Sequence, residues 1–80
     1  LALNGTLDLQ VPATENLSAI GAALAAGGNR DHTELALPGL NHFFQTARTG
    51  APSEYQQIEE TMAPAALDAV TAWIRQRFVR

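Results

Sequence analysis

Two short apolar runs, Leu1-Ala2-Leu3-Asn4 and His32-Thr33-Glu34-Leu35-Ala36-Leu37, stand on either side of one helix-length, alanine-rich segment, and this spacing leaves few folds open. The first run has the length and character of a strand covered on both faces. Asn4-Gly5-Thr6 is a turn signal, and Val11, standing before Pro12, prefers an extended backbone. A helix is expected from about Thr14, with Thr14 as N-cap and Glu15 in the first turn. Leu17, Ile20 and Leu24 give it one apolar face, and Gly27-Gly28 stops it. In the second run Thr33, Leu35 and Leu37 alternate with Glu34 and Ala36, which reads as a strand ended by Pro38-Gly39. Strand, helix and strand within the first 37 residues make a βαβ unit of the α/β class, with parallel strands and a right-handed crossover.

Parallel direction has a chemical consequence. The loops that follow both strands leave from the same edge of the sheet, where α/β folds hold their ligands. One loop presents Asp8 and the other presents His42, so the two can meet although 34 positions separate them. By itself Asp8 reads as a turn residue and His42 as a loop histidine bonded to backbone. Together they read as an acid and a base.

Beyond the second strand the chain is polar and irregular from Gln45 to Pro52. Ser53 and Gln56 match a capping box, so a short helix should follow and bury Tyr55, Ile58 and Met62. Pro64 suits the first position of a last helix, whose Leu67, Val70, Ile74 and Phe78 fall on one face with Trp73 at its margin. That face, Trp73 included, is expected in the core. Arg75, Arg77 and Arg80 lie toward its C-terminus, where the helix dipole favours cations.

Composition excludes several roles. With no cysteine, disulfides and thiolate metal ligands are ruled out. Five arginines, no lysine and eight acids argue against nucleic acid or an anionic membrane surface as partner. No apolar run approaches the roughly 20 residues of a membrane span. A metal site built from Asp8, His32 and His42 is disfavoured, since the two histidines fall at opposite ends of one strand and its loop, about 20 Å apart at ~3.3 Å per residue. His32 is expected at the surface, and Arg48 in a solvated loop. No cofactor is expected.

The pattern Gly5-x-x-Asp8-x-x-Val11-Pro12 and the loop Gly39-x-x-His42 resemble the acid and histidine loops of the α/β-hydrolases. The likeness runs on through Leu40-Asn41-His42-Phe43-Phe44-Gln45-Thr46-Ala47 to Thr49-Gly50, Tyr55 and Ile58-Glu59-Glu60-Thr61, and so covers nearly the whole chain. Within that superfamily the chain is most similar to serine esterases of the dienelactone-hydrolase and prolyl-oligopeptidase-like groups. The resemblance implies the C-terminal part of such a fold, with Asp8 and His42 as the acid and histidine of a triad acting on a small-molecule carboxylic ester. Phe43 and Phe44 would either line an acyl pocket or pack beneath the loop.

One departure governs the functional expectation. The family's Gly-x-Ser-x-Gly elbow, which exposes the nucleophile and supplies an oxyanion donor, is absent. Ser18 falls inside the first helix and Ser53 reads as a cap. Without nucleophile and oxyanion hole the chain is expected to be inert as a hydrolase. It opens on Leu1 without a methionine or leader, which suggests a fragment. Its expected partner is the missing N-terminal part of the hydrolase, or a second copy joined strand to strand as an edge-strand dimer. The alternative to hydrolase descent is a non-catalytic, self-associating α/β module.

Overall fold

The computed structural model describes residues 1–78. Strand β1 (Ala2–Gly5), helix α1 (Ala13–Ala26) and strand β2 (Glu34–Leu37) form the βαβ unit, followed by a 3-10 helix over Pro52–Gln57 and helix α2 (Pro64–Phe78). The strands are parallel, with Ala2 opposite Glu34 and Gly5 opposite Leu37. Helix α1 packs on both strands, and Leu17 is its one buried residue. Its C-terminus is closed by the Asn29 N–H bonding to the Leu24 carbonyl at 2.9 Å, with Gly28 at φ +86°. That six-to-one bond is the usual Schellman closure and needs a residue free to turn left-handed.

Several local expectations are corrected. Helix α1 begins at Ala13 behind Pro12, whose extended backbone (φ −60°, ψ 125°) is the N-cap, and no side chain caps it. Thr14 is therefore already helical. Strand β2 starts at Glu34 rather than His32, although the Thr33 carbonyl accepts the Ala2 N–H. The short helix starts at Pro52, one residue before Ser53, and carries no side-chain cap. Proline presets the first turn and displaces the serine inward. Glu54 instead organises the preceding turn, taking the N–H groups of Arg48, Thr49 and Gly50 on its carboxylate. Of the residues expected beneath this segment, Met62 is exposed, and Tyr55 and Ile58 are only half-buried.

The largest correction concerns α2. Leu67, Val70, Ile74 and Phe78 are all exposed, Phe78 to 74%. The core they were expected to join is small: Leu40, Ala63 and Ala66, with Leu37 and Phe44 packed against it. Ala66, the one buried residue of α2, and Ala63 just before the helix join this core, while those larger apolar residues of α2 stay exposed. Trp73 is half-buried, and its ring lies 4.0 Å beneath the Arg77 guanidinium, which pairs with Asp31 through two hydrogen bonds of 2.6 and 2.7 Å. Arg80 lies outside the described residues. On β2, Leu35 and Ala36 are exposed as well, so the sheet is not covered on both faces.

The molecule is a slab of 41 × 30 × 14 Å with a radius of gyration of 13.8 Å. A self-contained domain of this length would have a radius of about 12 Å. No helix among the described residues is long and apolar enough to cross a membrane.

Candidate active site

The two loops at the C-terminal edge of the sheet are stitched together by backbone. Thr6 N–H bonds to the Leu37 carbonyl at 3.0 Å and Leu7 N–H to the Leu40 carbonyl at 2.9 Å. Gly39 N–H bonds to the Thr6 hydroxyl at 2.8 Å. Gly5 is what permits this approach, because a Cβ there would overlap the Leu40 carbonyl. Gly50, at φ +82°, passes equally close to the Leu7 carbonyl.

Asp8 sits in the first loop with its carboxylate pinned. Oδ1 accepts the N–H groups of Gln10 and Val11 at 2.9 and 2.8 Å. Oδ2 accepts from His42 Nδ1 at 3.0 Å, with the Asn4 amide at 3.4 Å. The side chain of Asp8 is 6% exposed and that of His42 is 34% exposed. Burial alone would push the Asp8 carboxyl up. The Val11 N–H, the His42 ring and the Gln10 N–H together outweigh burial and hold the carboxyl below its ordinary value. Asp8 is therefore an anion at neutral pH, which makes Nδ1 the protonated ring nitrogen and leaves the Nε2 lone pair outward. Nε2 has no hydrogen-bond partner among the described residues.

Three asparagines hold this pair, and nothing in the sequence showed what their side chains bind. Asn4 is buried at the end of β1. Its amide bonds to the Val11 carbonyl at 3.1 Å and its oxygen accepts from Asn16 at 2.7 Å, tying the acid loop to the first turn of α1. Asn41, 0% exposed, holds the histidine loop from inside. Its oxygen accepts the N–H groups of Phe43 and Gln45 at 2.9 and 3.0 Å, and its amide reaches the Gln45 side chain at 3.0 Å. The turn so enclosed places Phe44 at φ 60°, a strained region for a bulky residue. Phe44 goes down onto the small core. Phe43, its neighbour, goes outward. Phe44 thus packs beneath the loop, one of the two expectations, and Phe43 does not.

Phe43 is 50% exposed and meets His42 edge-on, ring centroids 5.4 Å apart. Tyr55 meets Phe43 edge-on in turn at 4.7 Å, and the Gln10 amide donates to the Tyr55 hydroxyl at 2.7 Å. The serines stand apart: Ser18 is exposed on α1 and Ser53 on the 3-10 helix, and neither bonds to His42. At the opposite end of β2, His32 is half-buried rather than free at the surface, and its Nδ1 lies 2.8 Å from Glu34. Arg48 is exposed.

What the arrangement can do is proton transfer at one outward nitrogen, with a fixed carboxylate behind it to stabilise the imidazolium. Comparison of the chain with protein-family models, with curated proteins and with solved structures found no match.

Proposed function

We propose that the chain carries the acid–base half of a serine hydrolase acting on carboxylic esters, within the C-terminal part of an α/β-hydrolase fold. The observation that carries this reading is the Asp8–His42 pair, in which a buried carboxylate with two backbone donors holds Nδ1 at 3.0 Å and leaves Nε2 outward. In this reading Nε2 takes the proton of a serine hydroxyl as its oxygen bonds to the ester carbonyl carbon. The imidazolium then returns that proton to the alkoxide as the carbon–oxygen bond to the leaving group breaks. Serine and oxyanion donors would come from a preceding segment, seated against the open edge of β1 and the bare apolar side of α2. The excess radius and the very small core support this, because both are expected of a slab cut from a larger body.

By itself the chain should hydrolyse an unactivated alkyl ester no faster than its His42→Ala variant. The test is to extend the reading frame upstream. The reading requires a Gly-x-Ser-x-Gly motif there, and ester hydrolysis by the longer chain that His42→Ala abolishes. A longer chain without that motif, or one whose esterase activity ignores His42, sinks it.

A second reading, a non-catalytic module that self-associates, is favoured by the sheet itself. Two strands leave both outer edges unpaired among the described residues, and two strands are seldom enough for independent stability. A twofold dimer joining β1 to β1 antiparallel would make a continuous four-stranded sheet. Sedimentation of a stable folded monomer at micromolar concentration refutes this second reading.

A further inference from the structure

His42 does not stand alone at the rim. Phe43 follows it on the same turn, its N–H fixed by Asn41, and half of it is open to solvent. A half-exposed phenylalanine would ordinarily be free to fold down. This one is braced from behind by the Tyr55 ring at 4.7 Å and 70°, and Tyr55 is itself held by the Gln10 amide. Gln10 also gives its backbone N–H to Asp8. One chain of contacts therefore runs from the acid through Gln10 and Tyr55 to Phe43, and closes on His42.

We infer that Phe43 is the specificity-determining contact for the leaving group, and that the group it fits is an aryl or arylmethyl alcohol. This rests on the reading of His42 as proton donor to the departing alkoxide, since whatever receives a proton from Nε2 must lie beside that ring. Beside that ring, at 5.4 Å between centroids, stands an aromatic side chain held edge-on to a second one, and aromatic rings prefer edge-to-face or offset partners at about 4.5–7 Å. A flat ring on the leaving alcohol continues that series. A small polar alcohol finds no donor or acceptor on Phe43.

The test titrates benzyl alcohol, and separately cyclohexylmethanol of nearly the same bulk, into the isotopically labelled chain and follows the side-chain resonances by NMR. Benzyl alcohol should shift Phe43, His42 and Tyr55 together and bind more tightly than cyclohexylmethanol. Phe43→Leu keeps the apolar bulk and removes the ring, and should weaken benzyl alcohol binding about 2- to 10-fold, to the level of cyclohexylmethanol. Equal affinities for the two alcohols in the wild-type chain overturn the inference, as do shifts centred on the bare side of α2. The protonation pattern of the His42 ring, read on the same samples, separates this from the underlying reading. An Nδ1-protonated ring with no preference for the aromatic alcohol discards the aryl subsite and leaves the dyad standing. Aromatic preference with the ring protonated at Nε2 leaves an aryl-binding rim and overturns its role toward a leaving group.

Discussion

Asp8 offers the sharpest test, because two replacements separate its structural work from its chemical work. Asp8→Ala removes the acceptor of the Gln10 and Val11 N–H groups and of His42 Nδ1, at 2.9, 2.8 and 3.0 Å. Bonds to a charged group contribute about 1.5–3 kcal/mol each, and water recovers part of the loss because His42 and Gln10 are partly open. A net cost of about 3–5 kcal/mol follows, against a total stability of about 4–12 kcal/mol for 80 residues. Asp8→Asn keeps an oxygen for the two backbone donors and turns an amide toward Nδ1, which must then become the acceptor. That variant should lose only about 1–2 kcal/mol. The pH dependence has a definite sign. With its folded-state pKa depressed, Asp8 contributes stability that is present above the ordinary aspartate range and is lost as pH falls through the folded value. The gap between wild type and Asp8→Asn should therefore be widest near neutrality and shrink below about pH 4. Urea unfolding of the three proteins at pH 7 and pH 3, followed by circular dichroism, measures all of this. An Asp8→Asn variant as unstable as Asp8→Ala, or a gap that does not narrow in acid, refutes the reasoning.

Asn41→Ala should lower stability by about 2–4 kcal/mol in urea unfolding, because it removes the fully buried acceptor of the Phe43 and Gln45 N–H groups. Gly5→Ala should cost about 3 kcal/mol or more, read from the same melts, since the new methyl overlaps the Leu40 carbonyl and the two loops must separate. Val70→Glu, on the bare side of α2, should change the stability of the isolated chain by no more than about 0.5 kcal/mol in thermal or urea unfolding.

The meeting of Asp8 and His42 was legible because it depends on topology more than on detail. Parallel strands force both following loops to one edge, and the βαβ spacing announces parallel strands. The supports of the pair were not legible. Asn4, Asn16 and Asn41 each look like turn or cap residues in sequence, and what their amides bind is decided by chain segments that only the fold brings near. The caps expected of Thr14 and Ser53 failed for a related reason: Pro12 and Pro52 set the helix starts by backbone geometry, and Glu54 took over the polar bonding of the neighbouring turn. The apolar period of α2 is legible as a face, but its expected burial is not found. A periodic face states that something should cover it and does not state what, and here Ala63 and Ala66 carry the contact with the core while Leu67, Val70, Ile74 and Phe78 stay open.

A buried anion orients the imidazole so that its outward nitrogen is free to accept a proton. Long-range nitrogen–proton NMR of the uniformly labelled chain at a pH where His42 is neutral reads this directly. The hydrogen is expected on Nδ1 in the wild-type protein and on Nε2 in Asp8→Asn. A wild-type ring carrying its hydrogen on Nε2, or exchanging freely between the two nitrogens, contradicts that assignment.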